Sequence, residues 1–196
     1  MTWTGEGEPL RRRDWAVRAV DIAVAERLVQ RHHYAAGASN TATYLHGLWP
    51  VDSFWEQDCR GVAWWIPPTK DAAVALAGDA GWSGVLALSR LCIEPGIPGN
   101  AATFLMARST ALVDRQRWPW LVTYADAWRG HTGAIYRATG WEDRGETKPE
   151  GVWTLNGRMV ARKAGPRTRT KAEMEALGAV FQGRFPKRRY VKRPGA

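Results

Sequence analysis

The stretch Val85–Asn100, VLALSRLCIEPGIPGN, decides how this chain folds. Val85–Ile93 is the strongest strand signal in the chain, and it stops at Glu94-Pro95-Gly96-Ile97-Pro98-Gly99, too dense in Pro and Gly to continue a strand. Asn100 suits a helix cap. Beyond it Ala102, Leu105, Met106, Ser109, Leu112 and Val113 recur at helical spacing, which predicts a helix over about 100–117. A strand that feeds a helix through a glycine loop offers free N–H groups and partial positive charge to a phosphate. The loop lacks both the GxGxxG spacing and a Walker lysine, so dinucleotide-binding and P-loop readings are disfavoured.

Upstream, Trp15–Val20 reads as a short strand, and Asp21 caps a helix whose apolar face is Ile22, Ala25, Leu28 and Val29. That helix runs into Arg31-His32-His33-Tyr34, and the turn-rich AAGASNT follows, its small residues suited to a loop near a ligand. Ala42–Trp49 and Gly61–Ile66 read as strands, and the Ala-rich residues 70–83 as a short helix. Downstream, Trp120–Ala125 is a strand with Val122, Tyr124 and Asp126 alternating onto one face. A short helix over about 131–139 is closed by Gly140. Strands near Trp141–Glu146 and Val152–Leu155 lead through the turn Asn156-Gly157 into Arg158–Arg162. Lys171–Leu177 is a last short helix before a basic tail.

The 196 residues suit one domain, and 45% hydrophobic with 24% charged content excludes disorder along the whole chain. No apolar run reaches membrane-spanning length, and the first residues lack a signal peptide's apolar core, so no membrane partner and a cytoplasmic location are expected. Cys59 and Cys92 cannot build a disulfide framework or a Cys-rich zinc site. Charge is uneven. Residues 1–150 hold 16 Lys/Arg against 17 Asp/Glu, whereas residues 151–196 hold 12 against Glu173 and Glu175 alone. The whole excess of +9 therefore sits at one end, as a polyanion-binding segment would place it. The expected organisation is a flexible leader over 1–13, a main domain over 14–162 and a basic extension over 163–196, packing on the domain and contacting a polyanion.

Several residues carry chemistry. His32, His33 and Tyr34 lie where a helix meets a small-residue loop, and histidine exchanges protons near neutral pH. Asp126 and His131 flank the turn after a strand; Asp126 suits either orienting His131 or capping the next helix. Tyr124 shares its strand face. Ser89 and Arg90 sit in the strong strand, where a buried arginine needs an anionic partner. His32 or His33, Asp126 and His131 are also the types of a two-His, one-carboxylate metal site, which suits Fe(II). Arg158, Arg162, Lys163, Arg167, Arg169 and Lys171 form a dense basic arm suited to phosphate contacts, and Trp49 and Trp128 could stack an extruded base.

The element order, with GIPGNAA between strong strand and helix, resembles the GNAT acyl-coenzyme A transferase fold. That resemblance implies an α/β (α+β) protein with a central mixed sheet of about six to seven strands flanked by helices. It also implies donor binding by Gly96, Gly99, Asn100 and Ala101, with Ser89 and Arg90 nearby, and it puts Tyr136 in the place of a leaving-group acid. The loop lacks the family's usual leading cation.

A narrower resemblance covers most of residues 28–178. RHHYAAGASNTATYLHGLW, LSRLCIEPGIPGNAATFLMARS, LVTYADAWRGHTGAIYRATGW and GRMVARKAGPRTRTKAEMEALG look like the Mom family of bacteriophage DNA-modifying proteins, the YAD…GHTG block most specifically. This implies conversion of adenine in double-stranded DNA to N6-carbamoylmethyl(acetamido)-adenine, which protects phage DNA from host restriction. The donor would be acetyl-coenzyme A or a related acyl or glycyl carrier. The competing expectations are a GNAT N-acetyltransferase acting on a protein, RNA or small amine, and a nonenzymatic DNA-binding protein on the same scaffold.

Overall fold

A computed structural model describes residues 9–34, 41–164 and 167–193. The elements run β1 (Trp15–Ala19), α1 (Ile22–His32), β2 (Tyr44–Pro50), β3 (Gly61–Ile66), α2 (Lys70–Gly81), β4 (Val85–Ile93), α3 (Ala101–Leu112), β5 (Trp120–Asp126), α4 (Ala134–Ala138), β6 (Glu142–Glu146) and β7 (Glu150–Leu155). Then come β8 (Arg158–Met159), β9 (Lys163–Ala164), β10 (Arg167–Thr168), α5 (Lys171–Ala176), β11 (Val180–Phe185) and β12 (Lys187–Lys192). The main sheet has seven strands in the order β1-β2-β3-β4-β5-β12-β6, and β4 with β5 is its parallel pair. The expected mixed sheet with flanking helices is therefore present.

Alternation along the strands sends side chains into two layers. On one face α1 buries Val24, Ala25, Leu28 and Val29 against Val62, Trp64 and Cys92. Farther along that face α2 packs Ala73 and Leu76 near Val85, Ala87, Val122 and Val191. On the other face α3 sets Phe104, Leu105 and Met106 into a core with Leu48, Trp65, Leu86 and Leu121. Asp21 caps α1 as expected, its Oδ1 accepting from the Ala23 N–H at 2.8 Å.

The helix expected to reach residue 117 ends at Leu112. Asp114 ends it: its Oδ1 accepts from the N–H groups of Gln116 and Arg117, a local turn that competes with the helical ladder. Leu112, assigned to the apolar stripe, is 51% exposed.

The C-terminal part differs most from expectation. A boundary at residue 162 does not divide the fold, because β12 lies inside the main sheet between β5 and β6. Tyr190 and Val191 of β12 are fully buried, two residues suited to a sheet interior within an otherwise cationic run. Three of the surrounding cations are paired with carboxylates: Arg188 with Asp143 at 2.6 Å, Lys187 with Glu150 at 3.0 Å and Arg193 with Glu142 at 2.8 Å. The leader differs too. Leu10, within residues expected to be flexible, is buried in the main core.

Candidate active site

Strands β4 and β5 pair only from Val85–Ala87 to Trp120–Val122 and then part. At the parting, the Thr123 hydroxyl donates to the Leu88 carbonyl at 3.1 Å, a side chain replacing the missing ladder bond. On the β3 side the register skips Ser89, since Trp64 pairs with Arg90 and Trp65 with Leu88. This bulge turns Arg90 toward the α1 layer. The Ser89 hydroxyl donates to the Trp64 carbonyl at 3.3 Å, so it bonds to the sheet itself.

Around the end of β5 the structure gathers His33, Tyr34, Arg90, Asp126, Arg129 and His131. The chain leaves α1 at His33, whose N–H closes the last turn on the Val29 carbonyl. The His33 and Tyr34 rings stack at 4.4 Å, and Tyr34 meets His131 edge-on at 5.5 Å. Asp126, 4% exposed, accepts from the Trp128 N–H through its Oδ1 at 3.1 Å, while its carbonyl accepts from the His131 N–H at 3.2 Å. Those two bonds fold the Ala127–Arg129 turn back on the strand and bring His131 beside the carboxylate. Gly130 and Gly133 both take positive φ, at 71° and 72°, which explains why a glycine stands on either side of His131-Thr132.

Burial, with help from Arg90, His131 and Arg129, lowers the His33 pKa to about 4, so its imidazole is neutral at pH 7. Burial, reinforced by Asp126, raises the Tyr34 phenol to about 12 and keeps it protonated as a donor. His131 is lowered by desolvation, with Asp126 pulling the other way. It is thus a neutral imidazole beside a carboxylate that stabilises its protonated form.

Tyr136 is buried with Trp141 and Tyr190. Burial raises its pKa, and its phenol oxygen hydrogen-bonds Thr123 at the parting of β4 and β5. Tyr124 is half-buried on the same sheet face as Asp126. His32 does not join the cluster. It lines a separate cleft of about 260 Å³ with Arg27, Arg31, Glu56 and Glu94, because successive residues at a helix end project in different directions. The metal site of His32, Asp126 and His131 is therefore not assembled, and among the described residues no three His, Cys, Asp or Glu side chains gather to hold a metal.

The glycine loop also departs from expectation. Gly96 has φ of 85° and open space where a Cβ would lie, so the backbone there is accessible to a phosphate. Asn100 makes no capping bond to α3. Its Oδ1 instead accepts from the Leu10 N–H at 2.6 Å. Ala101 is buried beneath the helix start.

In the basic arm, Arg162 donates to the Arg169 carbonyl, Arg167 pairs with Glu173, and Lys171 lies 3.7 Å from Glu175. Arg169 donates to the Ala161 carbonyl at 3.3 Å. Arg158 and Lys163 are exposed. Trp49 is 7% exposed under Arg18 and is core, whereas Trp128 is half-buried at the site. Sequence reading left out Arg129, although it lies inside the most specific block, between Trp128 and Gly130. Its guanidinium sits 4.9 Å from the Tyr34 ring and 4.3 Å from that of Trp128.

The architecture is that of the GNAT acyltransferases. Arabidopsis thaliana NAA60, in complex with a bisubstrate analogue, superposes with a TM-score of 0.58 at 10% identity, over 92% of this chain and 98% of that one. Salmonella typhimurium yncA with its cofactor acetyl-CoA gives 0.56 at 8% identity, over 93% and 95%. A GNAT family acetyltransferase from Bacillus cereus gives 0.51 at 8%, over 93% and 99%. At these identities the likeness is one of fold. No curated protein matches the chain in sequence. Within this fold the chain belongs to the Mom protein family, whose model matches residues 14–191. No helix among the described residues is long and apolar enough to cross a membrane.

Proposed function

We propose that this protein modifies DNA, transferring a carbamoylmethyl group to the exocyclic N6 of adenine in double-stranded DNA and so protecting phage DNA from host restriction. The observation that carries the reading is the Mom family match over 14–191, with the His33–Tyr34–Asp126–His131 cluster inside it. The N6 lone pair is delocalised into the ring, so the amine needs a base and a closely held donor. His131 takes the N6 proton, and Asp126 stabilises the imidazolium that forms. Tyr34, protonated, donates a hydrogen bond to the acceptor base. Tyr136, at the parting of β4 and β5, returns a proton to the leaving group. N6 is sealed inside paired duplex, so the base is extruded before reaction.

The donor is assigned to the loop Gly96–Ala101, where the open Gly96 backbone and the start of α3 offer N–H groups to a phosphate, although the Ala101 N–H already donates to the Pro98 carbonyl at 3.0 Å. A coenzyme A type of carrier suits this loop. Acyl transfer from it would form an N6–carbonyl bond as the thioester C–S bond breaks and the thiol leaves with a proton, whereas the carbamoylmethyl product requires a donor whose methylene carbon bears the leaving group, the N6–CH2 bond forming as that bond breaks. The exposed Arg158 and Lys163 hold DNA phosphates beyond the site. The test is nucleoside mass spectrometry of DNA from cells expressing the protein, beside a His131→Ala control. Unmodified deoxyadenosine in both samples, with folded protein present, overturns the reading. An acetyl group found instead on a protein, RNA or small amine would favour the N-acetyltransferase activity named for the structural relatives.

A further inference from the structure

Two large aromatic side chains stand next to each other in water in the loop between β2 and β3: Phe54 is 80% exposed and Trp55 70%. The backbone that carries them is tied down. The Val51 N–H donates to the Asp14 carbonyl at 2.8 Å, and the Asp58 N–H to the Trp55 carbonyl at 3.0 Å. The Ser53 hydroxyl donates to Asp58 Oδ2 at 2.5 Å, and the buried Trp49 donates through Nε1 to the Trp55 carbonyl at 3.3 Å. Arg18 donates to the Ser53 carbonyl and lies 4.9 Å from the Trp49 ring and 4.7 Å from that of Phe54. A tied loop that keeps two apolar rings in water leaves area for a partner to cover.

Trp55 is followed by Glu56 and Gln57, which line the cleft of about 260 Å³ together with Arg27, Arg31 and His32 of α1. Arg27 and Arg31 stand one helical turn apart, both exposed, and neither is paired with a carboxylate among the described residues. Glu94 also lines the cleft, but Arg60 holds it at 2.9 Å. That leaves Glu56 against two arginines, so the cleft favours an anion. The end of α1 joins this cleft to the candidate site: His32 lines the cleft, and the next residue, His33, stacks on Tyr34. Arg27 lies about 9 Å from His33 along the helix axis.

We infer that Trp55, Arg27 and Arg31 bind the unpaired strand beside the nucleotide being modified, Trp55 stacking on a neighbouring base and the two arginines taking its phosphates. This rests on the nucleic-acid reading above. Every base has a π-face and every nucleotide a phosphate, so an exposed indole next to unpaired cations matches a single strand whatever its sequence. Extrusion of a base removes a stacking partner from its neighbours, and the indole replaces it. Of the tryptophans singled out in the sequence, Trp49 is core; Trp55, six residues on, presents the exposed ring.

The test is titration of the full-length protein with a single-stranded oligodeoxynucleotide carrying 2-aminopurine, whose emission falls when the base stacks. The expected result is quenching on binding to the wild type. Trp55→Ala abolishes the quenching and weakens binding about tenfold. Its melting temperature is unchanged, because the ring it removes is exposed. Arg27→Gln and Arg31→Gln keep the quenching, and each lowers the salt slope of the affinity by roughly 0.7. Quenching and affinity that survive in Trp55→Ala, or a salt slope unchanged in both arginine variants, overturn the surface and leave the nucleic-acid reading standing. A wild type that binds the matching duplex but not the single strand overturns the surface too, whereas one that binds neither overturns the nucleic-acid reading with it. A dimer in sedimentation that Trp55→Ala dissolves assigns the ring to a second copy of the chain and overturns the proposal.

Discussion

Asn100 holds the main chain of Leu10 from both sides: its Oδ1 accepts from the Leu10 N–H at 2.6 Å and its Nδ2 donates to the Leu10 carbonyl at 3.4 Å. An amide expected to serve a ligand thus fastens the leader to the start of α3. Asn100→Ala is expected to cost about 1–2 kcal/mol and to hasten proteolysis before Trp15, measured by thermal melting and limited digestion. A variant that lost donor affinity at unchanged stability would return Asn100 to the donor loop.

His131 and Asp126 act as a unit, so their losses should not add. His131→Ala lowers the modification rate roughly a hundred- to ten-thousand-fold, and Asp126→Asn lowers it less. The double variant should be little worse than His131→Ala alone, measured by single-turnover assay on a defined duplex.

The pH dependence of stability follows from His33. Its folded pKa lies near 4, below the ordinary 6.5, so the unfolded chain binds the proton first. The contribution of His33 is complete above pH 6.5, declines as pH falls toward 4 and levels off below that. His33→Gln should flatten the melting temperature across this window, and an unchanged slope would contradict the burial of a neutral imidazole.

A Cβ on Gly133 would fall on the Tyr190 ring, and the residue already takes φ of 72°. Gly133→Ala combines backbone strain with overpacking and is expected to cost roughly 2–5 kcal/mol. Gly130→Ala shares the positive φ but meets open space, so it should cost less. Comparing the two melting temperatures separates strain from collision.

Arg158 and Lys163 are exposed, whereas Arg167 and Lys171 lie beside Glu173 and Glu175. Reversing Arg158 and Lys163 to Glu should weaken DNA binding and reduce the salt slope by about one unit per lost phosphate contact. Reversing Arg167 should act mainly by disturbing the start of α5.

How far the sequence could be read depended on whether local signals agreed. β3 and β4 were legible to the residue because apolar runs met Pro or Gly at their ends. The cap at Asp21, the turn at Asn156-Gly157 and the positive φ of Gly140 followed from local stereochemistry. His33, Asp126 and His131 were legible as chemistry, since their residue types stand at element ends. Their meeting was not, because it depends on α1 packing across β4. β12 was illegible for a different reason. In KRRYVK the burial signal is confined to Tyr190 and Val191, and the nearby Lys187, Arg188 and Arg193 find carboxylates on or near β6 that no local window contains. Division of the chain by charge therefore separated residues that the fold puts side by side.

β12 lies between β5 and β6 although the β7–β8 hairpin, β9–β10, α5 and β11 separate it from them in sequence. Without it β5 and β6 would have no partner on their facing edges, and Tyr190 would not fill its place beside Tyr136 of α4. The sheet is completed by its last strand, like a keystone, and such late long-range pairing slows folding. A chain lacking residues 187–192 would therefore leave β5 and β6 without the strand that joins them.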